Sequence, residues 1–218
     1  MRDAYHESLE SLRADLVQMT GLVRVAMDNA TTALLEVDGA LAEQVIEGDN
    51  RVDQIQLLVE EASYELLARQ QPVASDLRVI VTAVRLSADL ERMGDLAVHV
   101  AEVNRRRYPD GAIPPLVRDT VQQMAVAASR MTSYLEQVIS ENDIAVALQL
   151  ETADDEMDAL LRQIFVALLS PQWSYGIEGA VDVTLIGRYL ERYADHAVSA
   201  ARRVVYLVTG TWPARAVG

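Results

Sequence analysis

The hydrophobic positions repeat with a helical period along nearly the whole chain. Leu9, Leu12, Leu16, Met19, Val23, Met27, Ala30 and Leu34 form one continuous stripe, which predicts a long helix from residue 3 to about 36. A second helix is expected from about Gly39 to Gln70, with Asp38 as its N-cap and Ala42, Val45, Asp49, Val52, Gln56 and Val59 as its stripe. Pro72 stops it, because a residue before proline is disfavoured in helical conformation. A third helix starts at Ser75 or Asp76 and runs to about Arg107. Its seam reads Leu77, Val81, Val84, Ala88, Glu91, Asp95 and Val98, alternating four and three. Arg105 to Arg107 close it and complement the negative end of its dipole. That basic triplet is read as dipole and solubility rather than as a partner site.

YPDGAIPP, residues 108–115, is the clearest loop and the boundary between two halves. A fourth helix follows from about Leu116 to Ser140, with Val117, Val121, Met124, Ala128, Met131, Leu135 and Val138 on one face. Asn142 or Asp143 caps a fifth, to about Leu169, with the stripe Ala147, Leu150, Asp154, Met157, Leu161, Ile164 and Leu168. SPQWSYG breaks it. A sixth runs from about Ile177 to Val208 and stops at Gly210. The remaining TWPARAVG reads as a short loose tail.

The halves repeat. With a shift of 105, Met19 meets Met124, Asp38 meets Asp143, Asp49 meets Asp154 and Asp53 meets Asp158. With a shift of 100, LERMGDLAVHVA meets LERYADHAVSAA. The expected fold is all-α: two tandem three-helix bundles, residues 1–108 and 114–210, related by a pseudo-two-fold and packed on each other.

Composition narrows the function classes. Half of the residues are hydrophobic and aromatics make up 5%, which suits closely packed helices. The net charge of −14 opposes nucleic acid and anionic lipid, so neither is an expected partner. There is no cysteine, hence no disulfide framework and no thiolate metal site. The N-terminal stretch is amphipathic and lacks the apolar core of a signal peptide, and no apolar run approaches a membrane span. These features suit a cytoplasmic protein that meets a membrane only through its partners.

The candidate chemistry lies in acids at seam positions. Asp49 with Asp53 and Glu91 with Asp95 stand at i, i+4 in the first half; Asp154 with Asp158 and Glu191 with Asp195 do so in the second. Such pairs share a helix face. Asp49 and Asp53 precede Pro72 by about as much as Glu91 and Asp95 follow it, so the two pairs face each other across antiparallel helices; the match about Pro171 is looser. Facing carboxylates repel, and a bound cation relieves that. All-oxygen ligation suits Mg, Ca, Mn or iron, with zinc less expected. The alternative is that these acids are solvated and pair with Arg51, Arg92 and Arg192. His99 can reach the first site, but Ser199 stands at its place in the second half. His99 and His196 are read as structural or exposed, His6 is unassigned, and Tyr189, Tyr193 and Tyr206 as packing between helices.

RQQPVASDLR at 69–78, followed by LERMGDLAVHVAE at 90–102, resembles the PhoU family of phosphate-uptake regulators over essentially the whole chain. The resemblance rests on a QPxAxDLR-like helix start and a repeated E(D)xxxD motif. The second copy lacks the QPxAxDLR segment at PQWSYGIEGAVDV. The resemblance implies that Glu91, Asp95, Glu191 and Asp195 are metal ligands, completed by Asp49, Asp53, Asp154 and Asp158. It implies Fe, Zn, Mg or Mn, in single or multinuclear sites. It further implies a negative regulator of the phosphate-starvation response and not an enzyme, either as the main regulator or as a PhoY-type paralogue. The implied partners are the ATPase subunit of the phosphate ABC importer and a PAS-domain sensor histidine kinase. Two other readings stay open: a carboxylate-bridged di-metal enzyme and a metal-free structural helical protein. The Glu-x-x-His signature of ferritin-like oxidases is missing, since Asp3, Leu96 and Tyr193 occupy the minus-three places of the histidines. No nucleophile–base arrangement or glycine-rich phosphate loop is evident. A homodimer is compatible with the flat acidic faces, although no exposed seam demands one.

Overall fold

The computed structural model describes residues 2–70, 72 and 75–213, without the side chains of 2–4, 69 and 70. The described residues fold into helices with no strand: α1 (Arg2–Glu36), α2 (Gly39–Gly48), α3 (Asn50–Gln70), α4 (Ser75–Arg107), α5 (Pro115–Glu141), α6 (Ile144–Leu168) and α7 (Gly176–Thr209). Residues 71, 73 and 74 of the QPxAxDLR-like segment lie outside the described residues.

Local chemistry sets the ends. The Asp38 carboxylate accepts from the Leu41 backbone N–H at 3.0 Å and opens α2. Asp143 accepts from the N–H groups of Ala145 and Val146 and opens α6. Gly210 ends α7 in the left-handed conformation, its N–H donating to the Tyr206 carbonyl.

The expected second helix is two helices. It breaks at Asp49, where the Val52 N–H donates three residues back to the Asp49 carbonyl at 2.9 Å. Gly48, a poor helix former, stands just before the break. The second half has Ala153 at the corresponding place and α6 runs unbroken through Asp154.

The seam expected on the third helix is displaced. Leu77 and Val81 are 41% and 42% exposed, and Ala88 is exposed too. The buried stripe is instead Ile80, Ala83, Leu86, Leu90, Met93, Ala97, Val100 and Ala101. The cause is that α4 packs on α1 through one flank and on α7 through another, so its apolar arc is wide and the 77–98 line is the arc's edge. The stripes of the fourth and fifth helices hold, with Val117, Val121, Met124, Ala128, Met131, Leu135 and Val138 all buried.

α4 lies against α7 and α1 against α5, and the buried side chains of both halves form one continuous core. Tyr193 is fully buried where the halves meet. Its hydroxyl donates to the Val23 carbonyl of α1 at 3.2 Å and accepts from Thr132 of α5 at 2.9 Å. Asp89 on α4 accepts from Arg203 at 2.7 Å and bonds His196 at 3.1 Å, both on α7. Toward the other end of the same helix pair, Arg107 donates to Asp182 and to Glu178. The terminal triplet of α4 therefore does more than complement a dipole: Arg107 ties the halves together.

Candidate carboxylate centres

Each half gathers its four predicted acids. Asp49 stands at the α2–α3 break, Asp53 one turn into α3, and Glu91 and Asp95 on α4. Their charges act on one another. Burial, then Asp53 and Asp95, push the Asp49 carboxyl up to about 6, while nearby His99 draws it down. Burial and Asp95 raise Glu91, with Asp53 and Asp49 adding to the effect. The arrangement of antiparallel helices thus brings both pairs to one height.

The second half repeats this on α6 and α7. Burial, then Asp195, Asp158, Asp155 and Glu191, push Asp154 up to about 6. Burial and Asp195 raise Glu191, whose side chain is only 12% exposed. The looser sequence match about Pro171 still brings the pairs together, and adds Asp155.

Close approach is built into the first centre. A Cβ on Gly94 would stand 3.0 Å from the Asp49 carboxylate oxygen and 3.5 Å from Val52. An added methyl would make the Asp49 carboxylate shift by a few tenths of an ångström. Ala194 occupies the equivalent place in the second half.

Arginine answers some of the negative charge. Arg92 donates to Asp95 at 2.7 Å and lies 3.5 Å from Glu91. In the second half the partner of Glu191 is Arg188, one turn before it, rather than the adjoining Arg192. Neighbours on a helix point about 100° apart, so i, i+3 is the better geometry. Among the described residues no three acidic or imidazole side chains converge closely enough to hold a metal ion in these rotamers. The donor chemistry is nonetheless that of a hard cation: mutually repelling carboxylates only, with Asp53, Asp158 and Asp195 exposed and the other five half-buried.

Two residues missed in the sequence are Asp89 and Asp182, both buried acids at the α4–α7 junction. Their signal was phase. Asp89 shares a face with Leu86, Leu90 and Met93, so it interrupts an apolar stripe once the stripe is correctly placed. His99 is exposed and its ring stacks on Tyr189 of the other half at 5.1 Å. His196 bonds Asp89, as a structural reading expects.

Comparison with known proteins gives the chain a family. The PhoU domain profile matches residues 16–103 and again 121–204. The chain belongs to the PhoU family. It is 45% identical to "Phosphate-specific transport system accessory protein PhoU homolog 2" of Mycobacterium tuberculosis over 213 residues, 98% of this chain and all of that one. It is 33% identical to a PhoU homolog of Pseudomonas putida, across 95% of this chain and 81% of that protein. The crystal structure of PhoU from Pseudomonas aeruginosa superposes with a TM-score of 0.87 at 31% identity, covering 95% of this chain and 100% of that chain. The phosphate transport system regulatory protein PhoU from Streptococcus pneumoniae does so at 0.84 and 26%, over 96% and 99%. Both matched segments of the PhoU profile contain a carboxylate centre: Glu91 and Asp95 end the first, and Glu191 and Asp195 the second. No helix among the described residues is long and apolar enough to cross a membrane.

Proposed function

We propose that this PhoU-family chain is a non-catalytic regulator of phosphate uptake that represses the phosphate-starvation response. It acts in the cytoplasm as an adaptor, joining the ATPase subunit of the phosphate ABC importer to a PAS-domain sensor histidine kinase. The observation that carries this reading is family membership along nearly the full length of relatives named as phosphate-specific transport accessory proteins. In this reading Asp49, Asp53, Glu91 and Asp95, and likewise Asp154, Asp158, Glu191 and Asp195, hold Fe, Mg, Mn or Zn. Burial and mutual repulsion within each set support it, because a cation would offset both of the effects that now raise Asp49 and Asp154. The bound cation would supply positive charge at a helical face; the chain supplies oxygen ligands on two rigid helices.

A second reading is a metal-free adaptor. The arginines at Glu91, Asp95 and Glu191 favour it, since they already offset part of the charge.

One titration separates these readings. The purified protein is titrated against the PAS-containing kinase fragment, with and without chelator, and with Glu91→Ala and Asp95→Ala combined. Saturable micromolar binding that chelator abolishes is expected. Binding indifferent to both chelator and the double variant would favour the metal-free adaptor. No binding by folded protein to a competent fragment would remove the kinase from the scheme.

A further inference from the structure

A cleft of about 390 Å³ opens where the first turns of α4 meet the last turns of α7. Arg78 and Arg85 come from α4, Arg203 and Tyr206 from α7, and Trp212 from just beyond it. No carboxylate is among its lining residues. On a chain of net charge −14, three guanidinium groups around one cleft is a local reversal of sign.

These cations are incompletely used. Arg85 is exposed and has no acidic partner among the described residues. The Arg78 Nε is buried, and no hydrogen-bond acceptor meets it among the described residues. Arg203 spends its Nε on Asp89 at 2.7 Å, which fixes the side chain and leaves its terminal nitrogens for a ligand. One wall is aromatic. The Tyr206 and Trp212 rings stack at 4.6 Å and 10°, and Trp212 is 54% exposed.

We propose that this cleft binds a nucleotide, with phosphates on Arg78, Arg85 and Arg203 and the base against Trp212. The guanidinium fork matches phosphoryl oxygens in pairs. An exposed indole braced by a second ring is a stacking surface for any base. The volume lies in the range of small-molecule sites, larger than a bare phosphate fills and too small for a peptide helix. Recognition by arginine and indole needs no glycine-rich loop, and none is present. A larger cleft shares Arg203 and Trp212 and continues past Arg192 and Arg202 to Asp154 and Asp195. Nucleotide charge would therefore be felt at the second carboxylate centre.

The test is calorimetric titration of the full chain with ATP, pyrophosphate and adenosine, with tryptophan fluorescence followed in parallel. ATP is expected to bind saturably below millimolar, and pyrophosphate and adenosine each about tenfold or more weaker. Arg85→Gln and Trp212→Ala each weaken ATP on the order of tenfold, while Arg118→Gln, exposed at the start of α5 and away from the cleft, leaves it unchanged. Arg85 and Trp212 are exposed, so both variants keep the fold, checked by circular dichroism. Absence of saturable ATP binding overturns the proposal. So does pyrophosphate binding as tightly as ATP, which would make the cleft a plain oxyanion site, and so does ATP affinity indifferent to both variants.

Discussion

The Tyr193 hydroxyl joins residues 170 positions apart in sequence, and it does so with no water to compete. Burial raises its pKa, so it remains a donor at any physiological pH. Tyr193→Phe should cost about 1–2 kcal/mol in urea unfolding, because the hydroxyl's bonds to the Val23 carbonyl and Thr132 in the core are lost. Helical spacing marks Tyr193 as a packing residue. It cannot reveal that bond, whose acceptor lies on the first helix of the other half. At the acids the legible part is larger. The i, i+4 spacing and the repeat identify all eight residues, whereas their arginine partners depend on rotamers. Asp49 and Asp154 carry a pH prediction. Each sits at about 6 against an ordinary value of 3.8. Below about 4 folded and unfolded chains both hold the proton, and these sites contribute nothing. Between about 4 and 6 the unfolded chain ionises first, so stability falls as pH rises and then levels off. With chelator present, Asp49→Asn and Asp154→Asn should flatten this fall. Each should raise stability at pH 8 by on the order of 1 kcal/mol after screening. Urea midpoints measured from pH 4 to 8 check both sign and plateau.

At the scale of helices, periodicity recovers most boundaries but not the phase of α4. A helix with neighbours on two flanks has a wide apolar arc, and several four–three lines run through such an arc. The line through Leu77 and Val81 contained the two acids and was the edge; the line through Leu90 and Met93 was the centre. The break at Asp49 was equally hidden, since a single Gly48 is compatible with a continuous helix. Gly48→Ala meets no atom within 4 Å, so it should stabilise the chain by about 0.5–1 kcal/mol in thermal or urea unfolding. Gly94→Ala separates two roles. The same helical gain is offset by the contact with Asp49, leaving stability within about 1 kcal/mol of the parent. On the proposed metal-binding reading, divalent-cation affinity at the first centre should fall several-fold, measured by titration of the stripped protein, while the second centre is unaffected.

For the molecule as a whole, the shared core matters more than the repeat suggests. α4 and α7 each bury a face against the other half, so residues 1–108 alone should expose the α4 surface and give no cooperative unfolding transition by circular dichroism. Asp89→Ala should cost about 2–4 kcal/mol in the full chain, because it strands Arg203 and His196 at the junction. The repeat itself was plain in the sequence; which residues cross between its copies was not, since those contacts obey the three-dimensional pairing of α4 with α7. The crossing contacts are also unequal. A shift of 100 carries Asp89 onto Tyr189 and His99 onto Ser199, so the polar junction of Asp89 with Ser199 at 3.5 Å corresponds to the aromatic stack of Tyr189 on His99. A molecule with perfect two-fold symmetry would look the same from either end, and any partner could seat itself upside down with equal affinity. Here the Asp89 contact is charged and its counterpart is a ring stack, so the two faces are unlike. That difference gives a duplicated scaffold a head and a tail.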